Sequence, residues 1–565
     1  MKGARNIGKT LLVAALALAG EGAVFAKEKT GAGGSLRDKP AKTQKATGKG
    51  KGAKKSLSSK KKATKPASLH DRLVLLKKGY RLGEISRKSM WEQLSWLHER
   101  GQRLSTTDRV SLLQTQAIML QEGGFPILAA IYASQALKIS AAPLSADAEP
   151  AWTVLRRASE KQPIQSVLEI VADTVDLKGK PAPVFGSDWW YYAGNAAARR
   201  GDNDKALAYY GDLETNDRYF FPGKYQQAMI YVDLNKFDKA EATLKAILNP
   251  QADERSPLPV ERRRALQDYA RLGLGRLYYE RERFVESTKM YRGVAKDSAS
   301  FYDALFEQSW AFFLGGYPMH SLGGLHAVES PFYAGVFNPE APILRALVHY
   351  WLCRYEDSRN ALADFSEKYA PAVEKLDEFL DRQRLDSETA YQLFENLVSG
   401  VSGDALGVPK SILQTAAEKD SMLLVRDQYA AILEEKSRLE SKGVYGSRSA
   451  NAKPLDYLER WGSALRKDVG KRFLAELQDM KKDYDRLYSQ AQFLYVELLM
   501  SEKDQLLGKE LHASSKITAV SKKMKVGGWA DKTQAWKDAR YGEYWWDEVG
   551  WYIAPVEAKC NMPAK

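Results

Sequence analysis

Small and large apolar residues recur along the middle of the chain at helical spacing, and the pattern repeats every 34 residues. The clearest copy places Trp190, Gly194, Ala206 and Tyr210 at positions 4, 8, 20 and 24 of a unit beginning at residue 187. A shift of 34 gives Lys224, Ala228, Ala240 and Leu244, with Tyr231 between them. Two antiparallel helices cross closely only where small side chains face each other, and large ones fill the flanking holes. Gly201-Asp202-Asn203 and Leu234-Asn235-Lys236-Phe237 supply the turns. The pattern continues as Gly275, Tyr278, Phe284, Ser287 and Tyr291, and again as Ser309, Phe312, Ser321 and Leu325. After a three-residue slip it reaches Ala346, Tyr355, Ser358 and Leu362. Upstream, Ala117, Ala129 and Ala136 flank the turn Gly123–Pro126, and Trp152 to Val175 reads as an irregular helix pair. Pro250–Arg264 reads as an insertion, and Trp190, Tyr210 and Tyr231 as core.

The last third follows other rules. A helical run from Pro409 to Lys442 carries Met422, Val425, Tyr429, Ile432 and Leu439, broken at Lys436, and Gly443–Pro454 reads as a turn. Phe473, Leu477, Met480, Tyr484, Leu487, Ala491, Leu494 and Leu498 then alternate by four and three, a heptad seam. This predicts an antiparallel hairpin whose second arm is longer by some twenty residues. The excess packs on the repeats, on another chain or on a partner. Five of the 13 Trp of the chain, with Tyr541, Tyr544 and Tyr552, crowd into residues 529–552. Tyr544, Trp545, Trp546 and Trp551 are candidate contact residues. Indoles beside carboxylates stack on sugar rings or form a binding hot spot; the alternative is an aromatic plug that docks the tail on the body.

Residues ~105–370 resemble tetratricopeptide-repeat (TPR) proteins, most closely over 187–254. The resemblance implies an α-solenoid with a concave face for peptides or partner domains. Asn195 and Lys205 do not fall at the spacing of the carboxylate clamp found in some members, so that ligand is not carried over. The string GEYWWDEVGWYIAPVEAKC (542–560) is similar to a C-terminal signature of exported TPR proteins of gliding and predatory bacteria, some of which belong to envelope-spanning motility complexes. The expected fold is therefore all-α: a TPR-like α-solenoid (69–371), a helical domain with a long coiled-coil-like hairpin (372–528) and an aromatic-rich tail (529–565).

Charge refines the picture. The formal net charge of +14 resides entirely in residues 1–68, which carry 17 Lys/Arg against 3 Asp/Glu. Lys2, Arg5 and Lys9, the apolar run Leu11–Ala19 and Val24-Phe25-Ala26 predict a signal peptide over 1–26, cleaved after Ala26, and hence a periplasmic protein. No later stretch is long and apolar enough to span a bilayer. Residues 27–68 hold 13 Lys and no Phe, Trp or Tyr, and predict a disordered arm. Lysines such as Lys54, Lys55, Lys60, Lys61 and Lys62 are point charges without aromatic neighbours, which argues against nucleic acid. They suit an anionic cell-wall or lipid polymer, or a solvated spacer.

No metal-binding, nucleotide-binding or nucleophile motif stands out, and no cofactor is expected. Cys353 reads as a core residue of a repeat helix; an oxidising compartment would permit a bridge to Cys560. The expected function is a non-enzymatic periplasmic scaffold that holds envelope proteins on its solenoid groove or hairpin. The alternative is a peptidoglycan- or polysaccharide-binding adaptor that uses the arm and the Trp/Tyr cluster.

Overall fold

The computed structural model describes residues 68–382, 386–400, 408–417, 420–441, 446–507, 534–535 and 544–560. The fold is all-α. Its helices are α1 (Leu69–Arg81), α2 (Arg87–Glu99), α3 (Thr106–Glu122), α4 (Pro126–Ile139), α5 (Glu149–Lys161), α6 (Gln165–Thr174), α7 (Trp189–Arg199), α8 (Asn203–Gly211), α9 (Phe220–Asp233), α10 (Phe237–Ile247) and the short α11 (Pro250–Arg255). They continue as α12 (Val260–Glu280), α13 (Phe284–Arg292), α14 (Phe301–Leu314), α15 (Pro318–Val328), α16 (Glu340–Trp351), α17 (Tyr355–Arg382), α18 (Ser387–Val398), α19 (Lys410–Ala417), α20 (Asp420–Glu440) and α21 (Arg448–Leu506). Strands β1 (Gln534–Ala535) and β2 (Tyr552–Ile553) pair in parallel.

Local chemistry fixes the ends. Ser68, Ser86, Ser105, Asp202 and Asp386 each accept the amide three residues on, capping α1, α2, α3, α8 and α18. Among the described residues, seven turns share one C-terminal device, the first at Gly83, where the Glu84 amide reaches back to the Gly79 carbonyl. Gly83, Gly124, Gly201, Asn235, Glu282, Gly316 and Cys353 all take positive φ. The following amide in each case reaches back five residues, as in Asp202 to Ala197 and Arg283 to Tyr278. Gly201 and Asn235 are 34 positions apart, as are Glu282 and Gly316; Cys353 follows 37 after Gly316, the expected three-residue slip.

Consecutive helices pack on one another within α3–α5, α6–α11 and α12–α17, and α10 also packs on α12. A Cβ on Gly194 would sit 2.4 Å from the Tyr210 ring, and one on Gly275 would sit 2.5 Å from Tyr291. The spacing is sixteen in both. Ser287 Oγ donates to the Gly275 carbonyl at 2.7 Å and Ser358 Oγ to that of Ala346 at 2.9 Å, twelve positions back in each. The hydroxyl thus satisfies a helix carbonyl where two backbones approach. Val260–Arg264, expected within an insertion, open the 21-residue helix α12.

The C-terminal helices tie this array together. α20 and α21 run antiparallel: Ile432 and Tyr429 lie against Gly462, Lys436 pairs with Glu459, and Asn451 reaches the Leu439 carbonyl at 3.5 Å. Lys436, the break in the apolar stripe, is thus an ion-pair position. α21 has 59 residues against 21 in α20, so the second arm is longer by 38, not by twenty. It begins at Arg448 and contains Pro454, within the stretch that the sequence marks as a turn. Likewise α17 runs unbroken through Pro371, so the expected boundary at 371/372 falls inside a helix.

At about 88 Å, from 1.5 Å per residue, α21 touches both ends of the array. Near its start, Trp91 donates to Asn451 Oδ1 at 2.9 Å and Tyr457 to Gln135 at 3.3 Å. Near its end, Tyr350 bonds Ser501 at 3.0 Å, Arg359 pairs with Glu502 at 2.9 Å, and Tyr484 stacks on Phe365. The excess length packs internally, on α16, α17 and α18.

Candidate interaction surface

The tail from Tyr544 to Cys560 runs along α15, and glycine makes room for it. A Cβ on Gly323 would lie 2.0 Å from the Tyr552 carbonyl oxygen. Val549, Tyr552 and Ala554 complete the core formed by α14, α15 and α16. Ala554 donates to the Met319 carbonyl at 3.1 Å and Lys559 to that of Leu352 at 2.9 Å. Lys296 Nζ donates to the carbonyls of Trp546 and Asp547 at 2.9 and 2.8 Å. Arg292 lies 4.5 Å over the Trp551 ring. His326 stacks on Tyr544 at 4.5 Å; burial pulls its pKa down to about 4, so the imidazole is neutral at pH 7.

A disulfide between Cys353 and Cys560 fastens the end of the tail. Cys353 is buried, but it occupies the left-handed turn residue after α16 rather than a position inside a helix.

The docked tail leaves an aromatic surface outside. Trp545 is 60% exposed, Trp546 44% and the neighbouring Phe332 47%. Trp546 lies edge-on to Phe332 at 5.3 Å and to Phe301 at 6.3 Å. Trp545 is held by its backbone: its amide donates to the Tyr552 hydroxyl at 3.0 Å, and that hydroxyl donates to its carbonyl at 3.3 Å. Two indoles thus face outward while Tyr544, Trp551 and Tyr552 anchor. Trp529, Trp536, Tyr541, the signal peptide and the arm with Lys54, Lys55, Lys60, Lys61 and Lys62 lie outside the described residues.

Ala117, Ala129, Ala206, Ala228, Ala240 and Ser287 are fully buried, as is Tyr210; Gly194 and Gly275 meet aromatic rings. Trp190 and Tyr231 are only half-buried. Trp190 stacks on Tyr209 at 5.4 Å, and Lys239 sits 5.7 Å over Tyr231.

A cleft of about 530 Å³ lies between Phe185 and the Pro257–Pro259 loop. Its carboxylates have internal partners: Asp188 takes Arg156 at 3.1 Å and the Arg218 amide at 2.9 Å, and Asp217 takes Ser187 and the Glu214 amide. Among the described residues, no group of three His, Cys, Asp or Glu could hold a metal ion, and no helix is long and apolar enough to cross a membrane.

Two sets of residues lie off the repeat and heptad positions singled out in the sequence. Glu435 accepts the Ile127 and Leu128 amides at 2.7 and 3.0 Å, at the start of α4. One turn on, Arg438 donates to the Gly124 and Gly123 carbonyls at 2.8 and 3.3 Å, at the end of α3. Together they read both poles of one helix turn. The second set is the apolar outer face of α21 beyond Tyr488, which falls off the heptad seam. No family model matches the chain, and no curated protein matches it.

Proposed function

We propose that the protein is a non-enzymatic periplasmic scaffold that mediates protein–protein contacts in a cell-envelope complex, of the kind used in motility. In this reading, 69–371 is a TPR-like α-solenoid, 372–528 a helical domain with a coiled-coil-like hairpin, and the Lys-rich arm 27–68 touches an anionic envelope component. The observation that carries the proposal is α21, a single helix bound to α2 and α4 near one end and to α16 and α17 near the other. An open array of helix pairs flexes like a spring; a strut across it holds binding surfaces at fixed separation, which a scaffold needs. The Cys353–Cys560 disulfide supports an oxidising compartment, where such bridges persist. The recurrent turns and the Gly194–Tyr210 and Gly275–Tyr291 contacts support the TPR reading.

Crosslinking and mass spectrometry on whole cells tests this. A scaffold yields defined envelope proteins linked to it, and these links disappear when 105–370 is deleted. A chain that remains free in the periplasm contradicts the proposal.

A second reading rests on the outward faces of Trp545 and Trp546: a peptidoglycan- or polysaccharide-binding adaptor, with indoles stacked on pyranose rings. Its signature is co-sedimentation with purified cell wall, salt-sensitive through the arm and reduced by W545A/W546A.

A further inference from the structure

The packed line of α21 ends in Tyr484, Leu487, Ala491, Leu494 and Leu498, all buried. Directly opposite runs another line at heptad spacing: Phe493, Val496, Met500 and Leu507, with Lys503 filling the gap. Phe493 is 71% and Met500 63% exposed. Beside them Tyr488, Tyr495, Leu499 and Leu506 are exposed as well.

We propose that this outer face of α21, from Tyr488 to Leu507, binds the same face of a second copy of the chain, antiparallel about a two-fold axis. Area is the first argument. Six side chains on or beside that line, Phe493, Val496, Leu499, Met500, Leu506 and Leu507, show on the order of 100 Å² each and give roughly 600 Å² per copy, the low end of one side of a specific interface and as much as the largest patch on a typical monomer. Self-complementarity is the second. In an antiparallel seam, the first and fourth heptad positions face each other across the axis. Val496 then meets Met500 of the second copy, and Phe493 meets its Lys503, whose ammonium lies over the ring. The lysine that interrupts the apolar line thus acquires a partner. Preorganisation is the third: α21 is already fastened to α16, α17 and α18, so pairing orders no new backbone.

The test is sedimentation equilibrium on the full mature chain at roughly 50 µM, above the micromolar Kd expected of a modest interface. The wild type should sediment at twice the monomer mass. M500K and F493D should halve that mass without changing the circular dichroism, because both side chains point away from the body. A second readout is covalent: V496C/M500C should form a copy-to-copy disulfide under mild oxidation, whereas Ser449→Cys, on the opening turn of α21, should not. A monomeric wild type, or a dimer indifferent to M500K, overturns the proposal. In the former outcome the face belongs to residues 508–533, to a different protein or to a lipid surface.

Discussion

The indole N–H of Trp91 donates to the side-chain oxygen of Asn451 across 360 positions of sequence, at 2.9 Å and out of contact with water. The Asn451 amide also faces the Leu439 carbonyl, so one side chain joins α2, α20 and α21. Asn451→Leu takes this acceptor from a buried donor, which costs about 1–3 kcal/mol. Urea denaturation followed by tryptophan fluorescence measures the loss. W91F removes the donor and keeps most of the ring, so the double variant should be less damaging than the sum of the singles.

Glu435 makes docking of the hairpin pH-dependent. Burial pushes its carboxyl up to about 7, against the opposing pull of the Ile127 and Leu128 amides and of Arg438. The ordinary value is 4.5. Between the two, the folded chain keeps a proton that the unfolded chain has released, so the contribution is complete below the ordinary value and is lost as pH rises through about 7. Glu435→Gln removes that titration. Gln has one acceptor for two amides, so the variant starts below wild type at acid pH, and the deficit should shrink by about 1–3 kcal/mol between about pH 5 and pH 8. Glu340, also raised to about 7 by burial, should leave a residual slope. Melting curves across this range decide it; a pH slope unchanged by E435Q contradicts the assignment.

Gly323 should be the weak point of tail docking. Its substitution by Ala drives a methyl into the Tyr552 carbonyl, and the helix backbone on one side and the tail on the other leave little slack. An overpacking cost of about 1–3 kcal/mol is expected. It should appear as faster amide exchange at Ala554 and Lys559, with α3–α10 unaffected. Gly101, where nothing lies within 4 Å of a new Cβ, is the control.

The disulfide closes a span of 207 positions, so its removal should matter. C353S/C560S should lose about 2–5 kcal/mol and release the tail to protease. Reduction of the wild type should do the same. A variant that retains both melting temperature and tail protection would contradict the role given to this bond.

Much of this architecture was legible in sequence because close helix crossings demand small residues at fixed spacing. Ala117, Ala129, Ala206, Ala228 and Ala240 are all buried, and the heptad line from Phe473 to Leu498 is the packed face of α21. Proline and glycine misled at the other end. Gly443–Pro454 carries turn residues, yet the helix starts at Arg448 and holds Pro454 within it, where tertiary burial overrides propensity. Trp190 and Tyr231 fit the repeat pattern but remain half-buried, because ring stacking and a lysine cover one side only. Glu435 and Arg438 were illegible: their partners are backbone groups of a distant turn, and backbone leaves no sequence signal. The tail was half legible. Its aromatic crowding marked it, but only packing separates the anchors Tyr544 and Tyr552 from the outward Trp545.

The central claim is that α21 holds the two ends of the helical array at one separation. Spin labels at K88C on α2 and E374C on α17, read by pulsed dipolar spectroscopy, test it most directly. The intact chain should give a single narrow distance distribution, and E435A/R438A/N451A should broaden it severalfold while circular dichroism stays the same. A broad distribution in the intact chain, or one that the triple variant leaves unchanged, contradicts the strut.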